Sequence, residues 1–87
     1  MYIHIGGEAT VPEQEISAII NLETVLPSQK SVTDFINGAD DANKLEYLTA
    51  DIPKTLIITS DRTYVSSLSV AVLLNRIENG SEYLNLD

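Results

Sequence analysis

Apolar and polar residues alternate along most of this chain, and in two places the alternation gives way to a spacing of three and four. "MYIHI" is aromatic or β-branched at Tyr2, Ile3 and Ile5 and predicts a first strand, with Gly6-Gly7 as the tight turn after it. "EATV" predicts a short second strand that Pro12 stops. In "EISAIINL", Ile16, Ala18, Ile20 and Leu22 fall on one face of a third strand. Ile19 lies on the other face beside Ser17 and Asn21, which predicts that this face is partly covered too.

After a break at Pro27-Ser28, Val32, Phe35, Ile36 and Ala39 mark the stripe of an amphipathic helix. Ser31 is the expected N-cap with Asp34 three residues on, and Asn43 suits the left-handed end. Gly38 inside this pattern costs about 1 kcal/mol against alanine. "KLEYLTA" predicts a fourth strand and Asp51-Ile52-Pro53 a loop. "KTLIITS" and "TYVSS" predict a hairpin around Ser60-Asp61-Arg62, with a loop of either two residues or three to five. In "SVAVLLNRIENG", Val70, Leu73, Leu74 and Ile77 share a helical face, capped by Ser67 or Ser69 and stopped at Gly80.

The predicted order is βββ-α-βββ-α, an α+β fold in which two helices pack on a mostly antiparallel sheet. Residues 1–80 are expected to form one domain and 81–87 a C-terminal tail. Tyr83, Leu84 and Leu86 of that tail would dock on a neighbouring surface or a second subunit.

Charge changes this picture. Thirteen acids face five bases, Lys30, Lys44, Lys54, Arg62 and Arg76, for a formal net charge of −8. Bases so few and scattered do not form the grouped cationic face that phosphate backbones or anionic membranes require. Cysteine is absent, which excludes disulfides and thiolate sites and fits a reducing cytosol. The longest unbroken apolar run, Val70–Leu74, is far below the ~20 residues that span a bilayer, and "MYIHIGGEAT" lacks the features of a signal peptide. The expectation is a soluble, cytoplasmic, unprocessed protein whose thin core would gain from oligomerisation.

Candidate chemistry is sparse. His4, Asp61 and Ser60, Ser66 or Ser67 hold the residue types of a nucleophilic triad, but no G-x-S-x-G elbow is present and His4 lies within a strand. One histidine without cysteine excludes the usual zinc sets, and Asp40-Asp41 with Asn43 lacks the glycine and glutamate of a calcium loop. Gly6-Gly7 precedes a strand, whereas a phosphate cradle hands over to a helix. No catalytic residue, metal or cofactor is expected. Lys54, Asp61, Arg62 and Ile19 are the candidate assembly or partner contacts, Asp61-Arg62 because Arg suits protein contacts at a hairpin tip.

The segments "MYIHIGGEATVPEQEISAIINLE", "SVTDFINGADDANKL" and "KTLIITSDRTYVSSLSVAVLLNRI" resemble the bacterial extracellular matrix regulatory proteins of the RemA/RemB type, over about residues 1–77. The "MYIHIG" start and the "LIITSDRTYVSS" hairpin are closer to the RemB branch. The resemblance implies a non-enzymatic regulator of biofilm matrix genes in Gram-positive bacteria. In the RemA branch, DNA binding by rings uses an Arg before the third strand's Ile, bases along the first helix and an Arg pair before the "LIIT"-like strand. Here Glu15 precedes Ile16, Thr33 and Asp34 occupy the helix, and Asp51-Ile52-Pro53 fill the loop, with Lys54 the only base nearby. The expectation is a homo-oligomer, in ring form as in the relatives, or a partner-binding protein, without DNA binding through this surface. The alternative is a direct DNA-binding regulator whose oligomer concentrates Lys54, Arg62 or Lys30 into a local basic surface.

Overall fold

Two short strands at the N-terminus pair with each other. The computed structural model describes residues 1–24 and 29–79. Strands β1 (Tyr2–Gly6) and β2 (Ala9–Pro12) pair antiparallel as a hairpin, turning at Gly7-Glu8. A short 3-10 turn, Glu13–Glu15, leads into β3 (Ile16–Asn21). Helix α1 (Lys30–Asp41), β4 (Leu45–Tyr47), β5 (Thr55–Thr59), β6 (Thr63–Ser66) and helix α2 (Val70–Glu78) complete the order βββ-α-βββ-α.

The architecture is α+β with two sheets, one more than the single sheet expected. The β1–β2 hairpin stands apart from a four-stranded sheet of order β3-β5-β6-β4. The β3–β5 and β5–β6 pairs are antiparallel, whereas β4 runs parallel to β6. The reason is connectivity: β4 is joined to β5 by a crossing loop and enters the sheet on the far side of β6.

One sheet face buries the main core. Ile3, Ile5 and Val11 of the hairpin meet Ile57 of β5 and Leu73 of α2, with Ile16, Ile19, Tyr64 and Ile77 packed around them. This corrects the expected face of β3. Ile16 pairs with Thr59 while Ala18 pairs with Ile58, so two steps on β3 match one on β5. This bulge puts Ile16 on the face of Ile19, and Ala18 is left exposed. The side chain of Ile19, a candidate contact, is used by the chain's own core.

The helix ends differ in how they are made. Ser69 caps α2, its Oγ accepting from the Val72 N–H at 3.2 Å, which selects between the two expected caps. Helix α1 begins one residue before Ser31, with Gln29 at the cap and no side-chain bond there. Asn43 has φ 59°, the left-handed conformation expected of it after the last turn. Gly80 and the tail 81–87, including Tyr83, Leu84 and Leu86, lie outside the described residues.

Candidate contact surfaces

The hairpin "LIITSDRTYVSS" is the structural centre of the molecule. Leu56 and Ile57 are fully buried on opposite faces of β5, and Val65 and Ser66 are buried on β6. Three residues, Ser60-Asp61-Arg62, join the strands. Thr59 shapes that tip: its N–H donates to the Arg62 carbonyl at 2.9 Å, and its Oγ1 accepts from the Arg62 N–H at 3.0 Å. The Ser60 N–H donates to the Glu15 carbonyl at 3.1 Å, which brings the 3-10 turn to the same end of the sheet.

Of the triad candidates, His4 and Ser66 are both engaged in bonds that hold the fold. His4 Nε2 lies 2.7 Å from the Gly7 carbonyl, the distance of an N–H donated along its own hairpin. The Arg76 guanidinium contacts His4 Nδ1 at 3.1 Å and donates to the His4 carbonyl at 2.9 Å, tying α2 to β1. Ser66 Oγ donates to the Ile5 carbonyl at 2.6 Å and accepts from the Leu68 N–H at 3.0 Å, joining the two sheets through a fully buried hydroxyl. Among the described residues no three His, Cys, Asp or Glu side chains gather as a metal site.

The residues singled out for partner contacts divide between the two ends of β5. At one end, Asp51, Ile52, Pro53 and Lys54 form an exposed loop, and Ile52 is 81% exposed. At the other, Asp61 and Arg62 flank a groove of about 460 Å³ between the hairpin tip and α1. Asp34, Phe35, Gly38 and Ala39 form its helical wall, with Lys44, Ile58 and Thr63 on the strand side. Ile58 and Thr63 alternate with Ile57 and Tyr64 of the core face, so α1 lies over the opposite face of the sheet from α2. Sequence reading singled out Asp34, Asp61 and Arg62 but missed the groove that they share.

Two acids, Asp34 and Asp61, and two bases, Lys44 and Arg62, line the groove. Asp34 is held by Lys30 at 2.9 Å, one helical turn away. Burial raises the Tyr64 phenol above its ordinary value, and the Glu46 carboxylate adds to this; Arg62 opposes it, and Asp61 and Glu15 raise it further. The folded state therefore holds this proton more tightly than the unfolded one. Stability is expected to be unaffected by this group below pH 10.0 and to fall as pH rises from there through the raised folded value. Denaturation curves across that range should fall less steeply for Tyr64→Phe; an unchanged slope would show that the phenol is not involved.

The comparison with protein families now bears on these positions. The model of the RemA-like family, extracellular matrix regulatory protein A-like, matches residues 2–77. The chain belongs to this family. The match runs from the first residue of β1 to the last turn of α2 and so takes in both ends of β5 and the groove. No curated protein matches the chain. An extracellular matrix regulatory role comes with the RemA-like family itself. No described helix is long and apolar enough to cross a membrane.

Proposed function

We propose that this chain is a cytoplasmic, non-enzymatic regulator of the RemB type, tied to biofilm matrix gene expression and acting through self-assembly or protein partners. The observation that carries the reading is the chemistry at the positions where RemA-type DNA contacts are expected. Glu15, Asp34, Ile52 and Pro53 stand there, and Glu15, Asp34 and the Ile52-Pro53 loop are all solvent-exposed. Exposed carboxylates at these places repel phosphates and release no counterions. The placement in the RemB branch rests on the "MYIHIG" start and the "LIITSDRTYVSS" hairpin. The non-enzymatic part is supported by His4 and Ser66, whose polar atoms are engaged in holding the fold.

Direct DNA binding by a locally basic oligomer is the competing reading, built on Lys54, Arg62 or Lys30. Lys30 is committed to Asp34, which weakens that set. Electrophoretic mobility shift at low salt separates the two. The expected result is free DNA at micromolar protein; a shift that disappears with rising salt would establish the competing reading instead.

A further inference from the structure

Asparagine followed by glycine is the pair in which a backbone nitrogen most readily attacks the preceding side chain, because glycine puts no side chain of its own in the way. The chain holds two such pairs, Asn37-Gly38 and Asn79-Gly80. The sequence treats them alike, and the fold does not. For the reaction, the glycine nitrogen must swing toward the asparagine Cγ, which requires rotation about the asparagine ψ. The structure that fixes this angle therefore decides which pair can react.

Asn37 lies inside α1, and the helix continues beyond it to Asp41. Its ψ is held by the helical hydrogen bonds that cross the Asn37–Gly38 peptide, and the Gly38 N–H is itself part of that ladder. The next turn is closed as well. The Ala42 N–H donates to the Gly38 carbonyl at 3.1 Å and the Lys44 N–H to the Ala39 carbonyl at 2.8 Å. Reaction at Asn37 must wait for local unfolding of the end of α1.

Asn79 is placed differently. It is the residue at which α2 stops, with φ −121° and ψ 29°, outside the helical values. Its N–H still donates to the Asn75 carbonyl at 2.9 Å, which anchors the residue to α2, but its ψ is not set by the helix. The side chain is tethered through Nδ2, which donates to Asn75 Oδ1 at 2.6 Å in an exposed bond. That bond holds the nitrogen that departs in the reaction.

We propose that Asn79-Gly80 is a self-modifying site that deamidates in the folded protein, while α1 protects Asn37-Gly38. The Gly80 amide gives its proton to hydroxide, and its nitrogen bonds to Asn79 Cγ. The Cγ–Nδ2 bond breaks, and ammonia leaves with a proton taken from water, which closes a succinimide ring. Water then opens the ring. Entry at Cγ gives aspartate at position 79, and entry at the backbone carbonyl gives isoaspartate, with the chain continuing through the former side chain. Nothing is oxidised or reduced. Either product adds a negative charge to a chain at −8, at the C-terminal end of α2 where the helix dipole disfavours it. The turn affected is the one that packs Ile77 against the core and bonds Arg76 to the His4 carbonyl.

Warm incubation of the natural chain at mildly alkaline pH, with and without urea, followed by peptide mass mapping, tests this site. In the folded chain the peptide holding Asn79 should gain the mass of an amide-to-acid change, as a mixture of aspartate and isoaspartate. The peptide holding Asn37 should convert at least about tenfold more slowly, because its helix must open first. In urea the two rates should converge. Equal rates in the folded chain, or an Asn79 that unfolding speeds up by about tenfold or more, would overturn the proposal. Asn79→Asp supplies the charge of the product directly and should lower the melting temperature by about 1–8 °C. An unchanged or higher melting temperature would overturn the effect on α2.

Discussion

Gly6→Ala should destabilise the protein by about 2–6 kcal/mol, although it adds a single methyl group. Gly6 has φ 137°, where a side chain costs of order 1–3 kcal/mol. A Cβ there would also lie 2.8 Å from Ser66 Oγ. That hydroxyl is fully buried and cannot swing aside without giving up its 2.6 Å bond to the Ile5 carbonyl. Leaving that carbonyl unpaired costs a further ~1–3 kcal/mol. In a domain of this size the melting temperature should fall by at least ~10 °C, and a drop of only a few degrees would contradict the account. Ser66→Ala supplies the second arm. It removes the clashing oxygen, so the double variant should be less destabilised than the two single variants summed. Strict additivity would show that Gly6 acts through its backbone angle alone.

This contact also marks how far the residues could be read before they were folded. Gly6-Gly7 was legible as a turn because glycine tolerates positive φ; both residues have it, and the turn itself falls one residue on, at Gly7-Glu8. The close approach to Ser66 was not legible, because it joins residues 60 positions apart through packing. Helix α2 shows the same division. Its apolar spacing and Ser69 cap are local and were readable, whereas only packing decides that Leu73 is buried and Leu74 remains 46% exposed. The bulge between Ile16 and Ala18 reverses the face of Ile16 without any local signal, since Ser17 differs little from an ordinary strand residue. The parallel pairing of β4 with β6 is a matter of strand order and leaves no periodic trace.

The contact surfaces follow the same rule. That Glu15, Asp34, Ile52 and Pro53 carry no basic side chain is plain from residue types alone. That Asp34 and Asp61 border one groove is not, because α1 and the hairpin tip are brought together only by the sheet between them. A charge tally treats all five bases as scattered. The fold sorts them into Lys30, paired on α1; Arg76, bonded to His4; and three at the two ends of β5.

Leu73→Ala should cost about 2–5 kcal/mol, while Phe35→Ala should cost the isolated chain less than about 1.5 kcal/mol. Both residues are large and apolar and both belong to a helical stripe. Leu73 is 1% exposed and sits among Ile3, Ile5, Val11 and Ile57, so its loss opens a cavity in the main core. No residue of α1 is fully buried, and Phe35 keeps 42% of its surface in solvent. Urea denaturation of the two variants measures the difference directly. Equal losses would mean that α1 is anchored as firmly as α2, and the groove would then be part of the core. The unequal result fits a different division of work between the helices. Helix α2 locks the hairpin to the sheet, and α1 leaves part of its apolar face, at Phe35, in solvent.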